Sequence, residues 1–134
     1  MLEVELKRRL PGFNLDISFS IDGEVLGILG PSGSGKTMTL QCIAGLVRPD
    51  RGSIKLNGRV LFDSAKRVNL PARVRNVGLV YQNYSLFPHL SAAENIAYGI
   101  RNRPRSEADE RVRLLVKKMR LSGLEDRRPR QLSA

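Results

Sequence analysis

The sequence predicts an α/β fold: a mixed β-sheet carrying a phosphate-loop strand and helix, followed by the start of a smaller helical subdomain. Three observations predict it. An unbroken apolar run, Val25-Leu26-Gly27-Ile28-Leu29, ends in a glycine-rich loop and turns helical from Lys36. Other segments alternate apolar and polar residues with the period of a half-buried strand. Beyond Pro88 the periodicity becomes that of a helix.

Leu2, Val4 and Leu6 alternate with Glu3, Glu5 and Lys7. After the Pro11-Gly12 break, Leu15, Ile17, Phe19 and Ile21 alternate with Asn14, Asp16, Ser18 and Ser20, so both stretches read as antiparallel strands with one wet face. The run at 25–29 does not alternate, which suits a strand covered on both faces, as in a parallel sheet. The helix from Lys36 places Leu40, Ile43 and Ala44 on one side, and Gly45 followed by Pro49 stops it. Asn57-Gly58 lies between the apolar-rich segments 54–56 and 60–62, the pattern of a two-residue hairpin. Asp63 ends a run too short for a central strand and reads as a loop residue. A second continuous run, Val77-Gly78-Leu79-Val80-Tyr81, reads as another covered strand and places Gln82 at its carboxyl edge, where open α/β sheets bind ligands.

Ser91 with Glu94 forms a capping box ahead of Ile96, Ala97 and Ile100. A further helix starts near Ser106, with Ala108, Val112, Leu115, Val116 and Met119 on one face and the pairs Glu107/Arg111 and Asp109/Arg113 on others. Residues 1–87 therefore form the sheet-bearing portion and 88–134 the start of the helical subdomain.

Composition narrows the function classes. With 41% hydrophobic and 27% charged residues in 134, the chain has the make-up of one globular domain. Its 23 Lys and Arg against 13 Asp and Glu give a net charge of +10. The basic residues are scattered and Trp is absent, so no stacking surface interleaved with cations is expected, and no nucleic-acid partner. No apolar run approaches the roughly 18 to 20 residues needed to span a bilayer. Glu3 and Glu5 spoil any secretory layout, and the chain reads as cytoplasmic. The single cysteine, Cys42, reads as a small core residue with no chemical role.

The chemistry is concentrated in Gly30-Pro31-Ser32-Gly33-Ser34-Gly35-Lys36-Thr37, which fits G-x-x-x-x-G-K-[ST] between a strand and a helix. Small residues let successive amides point at phosphate oxygens, and the helix that follows turns its positive end to the anion. Lys36 is expected to reach the β and γ phosphates, and the Thr37 hydroxyl to coordinate Mg²⁺. Thr39, one position beyond Met38, completes the expected set of ATP-contacting residues.

Such a loop alone does not choose between a kinase, a GTPase and a transport ATPase. Val80-Tyr81-Gln82-Asn83-Tyr84-Ser85-Leu86-Phe87-Pro88-His89-Leu90, followed by Ala93-Glu94-Asn95-Ile96, resembles the Q-loop region of ABC importer ATPases. The closing Gln131-Leu132-Ser133 resembles the opening of that family's LSGGQ signature, and Ala134 stands where its first glycine is usual. The resemblance implies a P-loop NTPase of the ABC ATPase type, ATP and Mg²⁺ as ligands, and Gln82 as the glutamine that contacts Mg²⁺ and couples to subdomain rotation. It further implies a second ATPase subunit packed head to tail, and transmembrane permease subunits received on the surface from Gln82 to Leu90. A solute-binding protein would act through those permeases. The location implied is peripheral, on the cytoplasmic face of the membrane.

Asn57-Gly58-Arg59-Val60-Leu61-Phe62-Asp63-Ser64 and the 80–89 stretch look most like molybdate-type oxyanion importers. A nucleic-acid-associated ABC ATPase and a P-loop kinase or GTPase are the alternatives. The usual adenine-stacking aromatic has no counterpart from Lys7 to Leu10; Phe13 is the nearest, as core residue or platform. Phe87 is open between packing and shaping the permease groove. His89, the only histidine, is not the family's switch histidine and reads as a loop residue without chemistry. The Walker B aspartate, catalytic glutamate and switch histidine fall after residue 134 in the family's order, so residues 1–134 alone are expected to be inactive.

Overall fold

The two alternating N-terminal segments form β1 (Leu2–Leu10) and β2 (Phe13–Ile21), a hairpin in which Leu2 faces Ile21 and Leu10 faces Phe13. The structure is a computed structural model and describes residues 1–82 and 85–132. β3 (Arg51–Leu56) lines the other edge of β1, then come β4 (Arg59–Asp63) and the two-residue β5 (Val68–Asn69). The order is β2-β1-β3-β4-β5, each strand antiparallel to its neighbours. Asn57 and Gly58 join β3 to β4 with φ of 50° and 76°, the two left-handed positions that a tight hairpin turn requires.

Alternation decides which face of the sheet is covered. Val4, Leu6, Leu15 and Ile54 share the core with Leu61 and Phe62, and α1 (Lys36–Ala44) closes it with Cys42 and Ile43. Of the helical face expected, Ile43 and Ala44 are buried, whereas Leu40 is 43% exposed and Thr39 takes the inward position. Gly45 ends α1 at φ 81°, with its amide donating to the Cys42 carbonyl.

The short α2 (Ala72–Arg75) delivers an arginine to that helix end. Arg75 is 1% exposed and pairs with no carboxylate among the described residues. Its Nη1 donates to the Cys42 and Ile43 carbonyls at 2.9 Å each, Nε to the Leu70 carbonyl at 2.8 Å, and Nη2 to Asn69 Oδ1 at 2.9 Å. The negative end of the α1 dipole and the orphan carbonyls of its last turn hold the cation in place of a counter-ion. Burial still lowers the Arg75 pKa.

Two expected strands are absent. Residues 25–29 and 77–81 carry no ladder, and Val25, Leu29 and Val80 are 100%, 95% and 86% exposed. A covered parallel strand needs neighbours on both edges and cover on both faces, and nothing among the described residues supplies these. The described sheet is accordingly antiparallel throughout, within an α/β mixture of sheet and helices. Asp63 also differs from expectation: it ends β4, is 9% exposed, and its Oδ1 accepts from the Ala65 and Lys66 amides to cap the following turn.

These elements form one compact unit, Met1–Leu79; the second is Val80–Ala134, whereas the sequence places the boundary after residue 87. Within the second unit α3 (Ala92–Tyr98) starts at the expected capping box: Ser91 Oγ accepts from the Glu94 amide and Glu94 Oε2 from the Ser91 amide. α4 (Arg105–Lys118) buries Val116 and half-buries Ala108, Val112 and Leu115, while Met119 lies beyond its end and is 61% exposed. Glu107 pairs with Arg103 at 2.8 Å instead of with Arg111, so the carboxylate takes the basic residue one turn before it. Asp109 and Arg113, expected to pair, form no ion pair among the described residues. A short 3-10 helix, Pro129–Gln131, ends the described chain. No described helix is long and apolar enough to cross a membrane.

Candidate nucleotide-binding site

The phosphate-loop candidate spans residues 30–37 at the head of α1. Gly30, Gly33 and Gly35 have φ of 154°, 81° and 89°, a backbone course that only glycine follows without strain. The Ser34 amide donates to the Pro31 carbonyl at 3.2 Å and closes the turn. A Cβ on Gly35 would lie 2.7 Å from Leu15 Cδ1 and 3.1 Å from the Phe13 ring, so the loop is pressed against β2 where no side chain fits.

Lys36 is half-buried and arches back over the loop. Its Nζ donates to the Gly30 and Pro31 carbonyls at 2.8 Å each and lies 3.5 Å from Ser34 Oγ. The ammonium is thus held at the loop by its own backbone. Pro31, Ser32, Gly33 and Thr37 are exposed.

α1 starts without a side-chain cap and without an acidic residue in its first turn. Amides of Gly35, Lys36 and Thr37 therefore point out of the helix start with no carboxylate to meet them, which is what an incoming phosphate needs. The Thr37 hydroxyl makes no hydrogen bond to the described residues, so it is free to ligate a cation beside bound phosphates; the donor set fits Mg²⁺. Thr39 sits differently: it is 3% exposed, and its hydroxyl and amide both donate to the Gly35 carbonyl, at 3.0 and 2.8 Å. It braces the junction of loop and helix.

Gln82 lies in the second unit, in an exposed turn rather than at the end of a strand, because 77–81 has no ladder. Lys36 and Thr37 are brought together by one loop; Gln82 belongs to a separate body. The expectations for Asn83, Tyr84, Ser133 and Ala134 lie outside the described residues. Phe13 is half-buried and packs against the core with its ring beside Gly35. Phe87 stacks on Tyr98, centroids 4.2 Å apart, with His89 edge-on at 6.1 Å. Sequence reasoning missed Arg75 and Asn95. An asparagine inside a helix, at a cost in propensity, is the signal that could have exposed the second.

A glycine-lined loop at an uncapped helix start, with a lysine held over it, has the form of a phosphate-binding loop. The sequence profile of the ABC transporter family matches residues 14–134, and the chain belongs to that family. It is 45% identical, over 98% of its length, to the molybdate/tungstate import ATP-binding protein WtpC of Archaeoglobus fulgidus, and covers 52% of that protein. It is 43% identical over 99% of its length to the molybdenum import ATP-binding protein ModC of Paramagnetospirillum magneticum, covering 37% of it. The spermidine/putrescine import ATP-binding protein PotA of Methylococcus capsulatus is 46% identical over 92% of the chain, which covers 30% of that relative. The chain thus spans about half the length, or less, of these relatives. Among solved structures, a dimeric ATP-binding cassette in a post-hydrolysis state bound to ADP and Pi shares the fold at a TM-score of 0.77 and 24% identity. That match covers 99% of this chain and 63% of the cassette.

Proposed function

We propose that the full-length protein is the ATP-binding subunit of an ABC importer, using ATP binding and hydrolysis to drive uptake of molybdate or a related oxyanion. The observation that carries the reading is the loop itself. Lys36 would give up its two carbonyl contacts for the β and γ phosphates, and the amides of Gly35, Lys36 and Thr37 would take the remaining oxygens. Thr37 would ligate Mg²⁺, which would supply neutralisation of charge on the phosphates, and the family resemblance assigns Gln82 a part in holding that ion. Thr39 acts at the same site by fixing the Gly35 carbonyl, and Gly30, Pro31, Ser32, Gly33 and Ser34 line it.

Residues 1–134 alone are expected to be inactive, since the resemblance puts the Walker B aspartate, the catalytic glutamate and the switch histidine after them. The core portion 1–87 and helical portion 88–134 belong to one subunit, which pairs head to tail with a second copy around ATP. The surface from Gln82 to Leu90 meets the permease subunits and transmits closure to them, a two-state change biased by the nucleotide. The protein sits peripherally on the cytoplasmic face, and a solute-binding protein acts through the permease.

Molybdate is favoured by two relatives' names and by the 57–64 and 80–89 stretches; the spermidine/putrescine relative is as similar in identity. ATP-driven uptake by the intact complex in proteoliposomes tests the choice, with molybdate, sulfate and spermidine offered separately. Molybdate accumulation alone is expected; spermidine accumulation without molybdate would replace the oxyanion assignment.

A further inference from the structure

Asn95 lies inside α3, one turn past the capping box, and its amide group is spent entirely on the loop that precedes the helix. Oδ1 accepts from the Phe87 amide at 2.9 Å, while Nδ2 donates to the carbonyls of Phe87 at 3.2 Å, Leu90 at 3.2 Å and Ser91 at 2.9 Å. With Phe87 it exchanges both bonds, as two residues of an antiparallel ladder do, although one partner here is a side chain. The Leu90 amide closes the same loop by donating to the Phe87 carbonyl at 3.2 Å.

The pinned loop also carries an exposed group of side chains. Tyr98, three residues on and so on the same side of α3, carries the Phe87 ring at 4.2 Å, and the Arg101 guanidinium lies 4.1 Å from the Tyr98 ring centre. Tyr98 is 43% exposed and Leu86 51%, so this aromatic and cationic patch faces outward instead of filling a core. An outward patch on a backbone held at four points is pre-organised for a partner, since its ordering cost is already met before contact.

We propose that Asn95 is a positioning residue that locks residues 87–91 as a preformed receptor for the transmembrane partner. The proposal rests on the importer reading above. Asn95 touches neither nucleotide nor Mg²⁺ in that reading; it acts through the loop.

The test uses the full-length subunit and its detergent-solubilised permease, with Asn95→Ala and the same-sized Asn95→Asp, whose carboxylate would face three carbonyls. Amide exchange at Phe87 and Leu90, permease affinity and MgATP affinity are measured together. Exchange is expected to quicken in Asn95→Ala, and permease binding to weaken about tenfold or more in both variants, with MgATP affinity within about twofold of the parent. Unchanged permease affinity in both variants would overturn the proposal. So would permease and nucleotide affinity falling together, which marks general unfolding. Failure of the unaltered protein to bind its permease would sink the importer reading instead, and the exchange measurement would still decide whether Asn95 holds the loop.

Discussion

Arg75 and Gly45 form a single device at the end of α1. A Cβ on Gly45 would stand 2.5 Å from Arg75 Nε, and φ is 81° there, so the glycine is needed for space and for backbone conformation alike. Arg75→Met would keep the packing stem and strip the donors from the Cys42, Ile43 and Leu70 carbonyls. A loss of roughly 2 to 4 kcal/mol in urea unfolding of the full-length protein is expected. A change under about 0.5 kcal/mol would show that those carbonyls find other partners. Cys42, in the last turn of the same helix, is fully buried, and burial raises its thiol pKa although Arg8 and Arg75 oppose the shift. The native state therefore keeps its proton longer than the unfolded chain. Stability from this group is present below the unfolded value of about 8.5 and declines as pH rises through the raised native value. Cys42→Ser should flatten that alkaline decline in pH-dependent unfolding; an unchanged slope would assign the decline to other groups.

At the level of elements, local chemistry placed the starts and turns of structure well. The Asn57-Gly58 hairpin and the Ser91/Glu94 box were legible because each is set by residues within a few positions of one another. Ser91→Ala should cost about 1 kcal/mol and expose the Glu94 amide to faster exchange. Unchanged protection would mean that α3 is held by packing alone. The runs at 25–29 and 77–81 misled for the opposite reason: their apolar composition reports an environment that distant chain must supply, and the described residues do not supply it. Arg75 was illegible for a related cause, since a polar residue that serves backbone carbonyls across 32 and 33 positions leaves no periodic trace, and Asn95 left only the faint one of an asparagine inside a helix.

For the whole molecule, the phosphate loop was the most legible feature because motif and geometry are nearly the same statement: three glycines with positive φ, a lysine, and a helix start. Lys36 lies in the first compact unit and Gln82 in the second, so no single local motif could show both. Exposed Val25, Leu29 and Val80 predict that residues 1–134 expressed alone unfold over a broad range and bind a hydrophobic dye before heating. A sharp cooperative melt with no dye binding would contradict this. The central claim is that the loop from Gly30 to Thr37 cradles a triphosphate, and equilibrium binding of MgATP to the full-length protein and to Lys36→Ala tests it most directly. We expect the variant to keep its circular dichroism spectrum and bind at least about tenfold more weakly, a loss of about 1.4 kcal/mol; equal affinity in the two proteins would contradict the claim.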